Sequence, residues 1–260
     1  ADRDDDAAGC EARVQAMNAR AEALAAHRRQ DQIVHLYQQA WRRILDEQDK
    51  LRGEPLRTAR LDRLLTMRHT VEAELDRLEA RTVIWFERGT AVDPYVSGFR
   101  FVASPSEPIN RQAAMRLANE TFEDLLSATK FVRADVKRLL GEAAKIASES
   151  TIVENTAPGA ARDLMEKLVR ERGVSAVRYA NGSRHGLAEY SQMVVRTLTA
   201  LAVNGGSFDG APDVQWGQCF DGPNCHLESH DVGPFANGLI SERGVAQEFS
   251  IGHANCRRAW

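Results

Sequence analysis

The sequence predicts a mainly helical protein with a small α+β module at its carboxyl end and a long helical hairpin before it. Three observations carry that expectation. Apolar residues recur at alternating three- and four-residue steps through most of residues 31–172, the period of a helix with one buried stripe. At Gly173 the period shifts toward alternation, and Asn181-Gly182, the strongest short hairpin signal, follows. Between Cys219 and Cys256 lie three of the four cysteines and three of the seven histidines, in a segment rich in turn residues.

The bulk numbers narrow the function classes. A chain of 260 residues that is 43% hydrophobic and 27% charged is long and apolar enough to bury a core. Its formal net charge of −3 excludes attachment to nucleic acid by overall electrostatics, so any DNA contact is local. No run approaches the roughly eighteen apolar residues of a membrane span, and no basic-then-apolar leader opens the chain, so the expected protein is soluble and made in the cytosol. Four cysteines in such a chain are too few for a disulfide framework, which turns paired Cys/His positions toward metal. Cys10 stands apart and reads as a free thiol.

Residues 1–30 form an acidic, Ala-rich arm, with Asp4-Asp5-Asp6 placed at the positive end of a helix dipole and few large apolar side chains. Such an arm is either a solvated helix or one ordered by a partner. Residues 31–88 are the helical hairpin. Its first helix carries Ile33, Leu36, Tyr37, Ala40, Ile44 and Leu45 on one face and is broken by Gly53-Glu54-Pro55. The second carries Leu61, Leu64, Arg68, Val71, Leu75, Leu78, Thr82 and Trp85, a coiled-coil seam with polar interruptions. The short connection favours packing within the chain over an intermolecular coiled coil.

Residues 89–109, where Pro94, Gly98, Pro105 and Pro108 surround the apolar run from Phe99 to Val102, read as a linker or an extended excursion. A helical middle region, 110–172, follows. Ala114, Leu117, Ala118, Phe122, Leu125 and Leu126, then Val132, Val136, Leu139 and Leu140, predict helix to about Ser148 in two pieces. Ala161 to Arg172 is a further helix closed by Gly173. In the α+β Cys/His module, 173–260, a hairpin leads into a helix from Tyr190 that packs Met193, Val194, Leu198 and Leu201 under the sheet and ends at Gly205-Gly206. Asp213 to Cys219 and Leu239-Ile240 read as short strands.

Cys225-x4-His230 and His253-x2-Cys256 form two pairs separated by 22 residues, each able to reach one ion from a single turn. Two thiolates with two imidazoles make the tetrahedral set that zinc accepts in structural sites. Neither pair has the Cys-x2-Cys knuckle spacing, and Cys219 and His226 are spare ligands. A disulfide between Cys225 and Cys256 closes the same loop, and unlinked thiols are the third alternative. A catalytic role casts Glu228 or Asp231 as a general base beside an open metal position. No His-Glu-x-x-His helix and no deaminase signature accompanies them, so no enzyme is expected. A metal-dependent hydrolase or nuclease is the alternative from another class, and a coiled-coil interaction protein is a third.

The ending Gly252-His253-Ala254-Asn255-Cys256-Arg257-Arg258 resembles the His-Pro-Asn-Cys-Arg ending of minor capsid and MuF-type head morphogenesis proteins of tailed phages. The turn Asp221-Gly222-Pro223-Asn224-Cys225 is similar to the Asp-containing, cysteine-ending turn that precedes it in those families. Tyr190-Ser191-Gln192-Met193-Val194-Val195-Arg196-Thr197 is similar to their Tyr-x-x-Met-x-x-Arg-Thr helix, and the helix around Ile33-Val34-His35-Leu36-Tyr37 to the amino-terminal half of the second minor-capsid family. Ala254 stands where those families usually have Pro, and Arg258 where some members have Cys. The resemblance implies a virion protein of the phage head, made in the host cytoplasm and present in several copies or as a homo-oligomer. It implies a place at or near the portal vertex, with roles in head assembly and genome packaging or delivery. Portal and major capsid proteins are the implied partners, packaged DNA a secondary one, and no membrane is involved. Arg196 and Thr197 are then structural, the Arg fixing its helix to the turn near Asp221.

Overall fold

A computed structural model describes residues 2–50, 59–152, 166–171, 173–175, 177–178, 183–220, 238–249, 251, 258 and 260. The protein is mainly α-helical, as the apolar periodicity predicts. Its helices are α1 (Asp2–Lys50), α2 (Ala59–Glu87), α3 (Asp93–Val102), α4 (Arg111–Ile152), α5 (166–171), α6 (Leu187–Gly210) and α7 (Arg243–Glu248). Strands β1 (Val177–Arg178) and β2 (Arg184–His185) pair antiparallel, as do β3 (Trp216–Gln218) and β4 (Ile240–Glu242). Among the described residues no helix is long and apolar enough to cross a membrane. Contacts gather the chain into two compact units, one of Ala1–Gln32, Trp85–Glu123 and Gln192–Trp260, the other of Ile33–Ile84 and Asp124–Ser191.

The Ile33–Ser191 unit is built on aliphatic seams. Ile33, Tyr37, Ala40 and Ile44 of α1, Leu64, Met67, Val71, Leu75 and Leu78 of α2, and Leu125, Ala128, Val132, Val136, Leu139 and Ala143 of α4 are all buried. Their three- and four-residue spacing gives each helix one continuous stripe to bury. The expected seam position Arg68 is exposed and pairs with Glu72 at 2.8 Å, and Met67, one residue earlier, takes the buried place. Polar contacts fix direction. Tyr37 meets Thr82 at 3.1 Å and Arg43 clasps Glu74 at 2.8 and 2.9 Å, so these parts of α1 and α2 run antiparallel. Arg133 reaches Asp76 at 2.8 Å and Glu79 at 3.1 Å, and Thr129 reaches Glu79 at 3.1 Å, so α4 is also antiparallel to α2. The expected hairpin is present, with α4 as its third helix.

The expected break in the middle helix does not occur: α4 is continuous over 42 residues. The apolar gap near residue 130 is filled by Ala128 and Thr129, both buried, and Thr129 satisfies its hydroxyl on the Leu126 carbonyl at 2.8 Å. Asp135 then organises the end of this unit. Its carboxylate accepts from the Ser175 N–H at 2.9 Å, the Ser175 hydroxyl at 3.1 Å and Arg138 at 2.9 and 3.1 Å, with Arg184 at 3.6 Å. A buried carboxylate needs such partners, since an unpaired one costs several kcal/mol, on the order of 3. Gln48 similarly accepts from the Val174 N–H at 2.7 Å.

The other unit packs on small residues. Where a linker or extended excursion is expected, the chain forms a 3-10 turn, Thr90–Val92, and then α3. Pro94 lies in the first turn of α3, where its missing N–H is no loss, so the proline starts a helix rather than preventing one. Gly98 lets α3 lie directly on α6: a methyl group there would stand 2.0 Å from the Val203 carbonyl oxygen. One at Gly206 would stand 2.1 Å from the Tyr95 oxygen, and one at Gly210 2.7 Å from the Phe99 oxygen. This contact explains why α6 does not end at Gly205-Gly206 as expected but continues to Gly210. Gly206 and Gly210 are the places where another backbone approaches. Ser207 bonds the Val203 carbonyl at 3.1 Å and the Gly98 carbonyl at 3.4 Å across the same contact. Tyr95, Phe99, Ala114 and Ala202 form the core here, and Phe86 stacks on Phe122 with ring centres 4.5 Å apart.

Candidate functional site

Arg258 and Trp260 are held on α6. Asn204 lies in the apolar run Leu201-Ala202-Val203 and is fully buried, where a primary amide must be satisfied on both sides. Its Nδ2 donates to the Arg258 carbonyl at 3.1 Å and its Oδ1 accepts from the Trp260 N–H at 3.0 Å. One side chain thus reads the backbone before and after residue 259. Arg258 is 1% exposed, and its guanidinium donates to the Phe249 carbonyl at 3.4 Å. The same carbonyl, at the end of α7, accepts from the Trp260 indole at 3.1 Å.

Beside this anchor stands the β3–β4 hairpin, with Trp216 opposite Glu242, Gly217 opposite Ser241 and Gln218 opposite Ile240. Gly217 faces inward, its Cα hydrogen side 3.6 Å from the Trp260 ring and 3.8 Å from Ala246, measured from a methyl placed there. Two backbone bonds extend the hairpin past its strands: the Cys219 N–H donates to the Leu239 carbonyl at 2.9 Å, and the Gly238 N–H donates to the Cys219 carbonyl at 2.7 Å. Gly238 has φ 86°, a left-handed conformation natural only to glycine. Arg243 ties the hairpin to the end of α6, donating to the Phe208 carbonyl at 2.5 Å and to the Ala211 carbonyl, with its guanidinium 5.7 Å over the Phe208 ring.

The expected metal ligands Cys225, His230, His253 and Cys256, the spare His226, and the structural Asp221 lie outside the described residues. The spare Cys219 is described and is completely buried. Arg196 and Thr197 lie half-buried on α6. Among the described residues no group of three or more His, Cys, Asp or Glu side chains is placed to hold a metal ion. The anchor residues Asn204, Arg258 and Arg243 are absent from the sequence-based site. The one sequence signal for them is a lone Asn inside the apolar stretch of α6. Elsewhere in this unit Tyr95 donates to Asp209, which Asn110 also reaches at 3.3 Å. Burial first, and then the Asp209 carboxylate, push the Tyr95 phenol well above its ordinary range.

No protein-family model matches the chain, and neither the curated proteins nor the solved structures contain a match to it.

Proposed function

We propose that the chain is a structural virion protein, a minor capsid component at or near the portal vertex that supports head assembly and genome packaging or delivery. One observation carries the reading. The helix whose Tyr190–Thr197 segment resembles the phage families also bonds, through Asn204, the carbonyl of Arg258, which closes the resembling ending, and the N–H of Trp260 just after it. One helix thus carries a resembling segment and bonds the last residue of a resembling ending, an arrangement that suits a single structural module. The long helices α1, α2 and α4 add extended surface for contacts with portal and major capsid proteins, with packaged DNA as a secondary contact.

Within this reading Cys225, His230, His253 and Cys256 hold a structural zinc ion, on the chemistry of the donor set alone. Elemental analysis of the purified chain should find bound zinc. A metal-free chain whose intact mass is lower by the hydrogens of one disulfide overturns zinc in favour of a Cys225–Cys256 bond. For the function, the chain should co-purify with portal protein and give density at the portal vertex of assembled particles. Its absence from intact particles refutes the assignment.

A further inference from the structure

The β3–β4 hairpin is a two-stranded sheet, and the register of its pairing leaves backbone groups free along β3. The Cys219 N–H bonds the Leu239 carbonyl and the Arg243 N–H bonds the Gln215 carbonyl, so 215–243, 217–241 and 219–239 are the hydrogen-bonded pairs. The alternate residues point the other way. Trp216 and Gln218 therefore aim their N–H and C=O groups away from β4, and among the described residues no hydrogen bond reaches those backbone groups. The other edge is shorter, because β4 turns into α7 at Arg243.

One face of the sheet is open as well. Gly217 faces Trp260 and Ala246, whereas Trp216 is 56% exposed and Ile240 62% exposed on the opposite face. Natural sheets blunt a bare edge with charge, proline or a bulge, and Trp216-Gly217-Gln218 carries none of these. Such an edge accepts another strand. The charges around it suit a second copy of this chain as the source: two-fold antiparallel pairing about Trp216 sets the two Trp216 residues opposite each other, where they exchange both backbone bonds. Each Gln218 N–H then meets the Val214 carbonyl of the other copy, and the two indoles form a cross-strand aromatic pair. No like charges meet. The two Glu242 carboxylates stand three strand spacings apart, about 14 Å, beyond the screening length of about 8 Å at physiological salt, and each Asp213 falls opposite the Cys219 of the other copy. A contact of one short strand lies below the roughly 1,200 Å² of a stable interface, so the pairing is concentration-dependent.

We propose that the chain dimerises weakly through the outer edges of β3, joining two hairpins into one four-stranded antiparallel sheet. The proposal does not rest on the capsid assignment, and its failure leaves that assignment untouched. Sedimentation of the full chain over a concentration series tests it, together with exchange of the Trp216 and Gln218 backbone N–H groups at both ends of the series. Dimer should appear as concentration rises, and these two amides should then exchange about tenfold more slowly or less. Gln218→Pro deletes an N–H that the hairpin itself does not use, and Trp216→Lys sets two ammonium groups face to face. Each should raise the dissociation constant of the dimer about tenfold or more, with the urea midpoint of the monomer unchanged. The exchange is read in the unaltered chain and decides the matter even where a substitution disturbs folding. A chain that stays monomeric to millimolar concentration overturns the proposal and leaves the edge to a strand from another protein. A dimer whose Trp216 and Gln218 amides exchange at the monomer rate also overturns it, since that dimer uses a different face.

Discussion

The two units reach stability by opposite routes. In the Ile33–Ser191 unit, helices bring large side chains to one another: Leu75, Leu125, Leu139 and Ile44 are fully buried, and ion pairs such as Arg43–Glu74 and Arg133–Asp76 lie beside the seams. In the other, helices bring backbones to one another, through Gly98, Gly206 and Gly210, and polar groups such as Asn204 and Ser207 enter the interior. A side chain deleted from a large seam leaves a cavity that closes only in part, whereas a backbone contact tolerates no added atom. The lesson is that one helical protein can contain a unit sensitive to deletion and a unit sensitive to insertion.

Substitutions can break or sharpen that contrast. The largest effect is expected for Leu75→Ala, which empties a fully buried place in the aliphatic seam and should cost about 2–5 kcal/mol in urea unfolding. Next comes Gly206→Ala, a single added methyl in the other unit, expected to cost about 1–3 kcal/mol because it meets the Tyr95 carbonyl at 2.1 Å. If Gly206→Ala is neutral while Leu75→Ala is costly, the backbone-contact account of α3 and α6 fails. Asn204→Ala leaves the Trp260 N–H and the Arg258 carbonyl without their partner, for about 1–3 kcal/mol. Proteolysis should then release the closing segment before the seams open.

The smallest effect is one of pH and involves a tyrosine from each unit. Burial raises the Tyr37 phenol, with Thr82 opposing, and burial followed by Asp209 raises that of Tyr95, both from an ordinary value of 10.0. The folded chain therefore keeps these protons where the unfolded chain releases them. The stabilisation is complete below pH 10 and is lost as pH climbs from there through the raised folded values. Tyr37→Phe and Tyr95→Phe should each flatten the alkaline fall of the unfolding midpoint. A slope unchanged by both variants would assign that fall to other groups.

Much of the seam-based unit was legible in the sequence because a helix buries a stripe, and a stripe has a period. Ile33, Tyr37, Ala40, Ile44, Leu64, Val71, Leu75 and Leu78 were found this way. Glycine-based packing has no such period. Gly98 and Gly206 carry the signature of turns, and only the neighbouring backbone shows that they are contact points. Pro94 misleads for a related reason, since the first turn of a helix and a loop both accept it. The strands β3 and β4 were visible as short runs, Asp213 to Cys219 and Leu239-Ile240, set beside turn residues. Asn204 and Arg258 were not, because a buried amide and a buried guanidinium look like surface residues until their acceptors are known. The Cys/His ligand set lies outside the described residues and rests on donor chemistry.

Each unit is woven from stretches far apart in the chain, one joining Ala1–Gln32 to Gln192–Trp260. During synthesis at roughly 5–20 residues per second, the first stretch waits on the order of ten seconds or more for its counterpart to leave the ribosome. The nascent helices must stay apart from neighbouring chains over that interval. The exposed ion pairs and the sparse apolar content of the early residues suit such a delay. A release of the chain before α6 emerges would leave the Ala1–Gln32 unit without Gln192–Trp260, while the other unit would lack only its last residues, Leu187–Ser191.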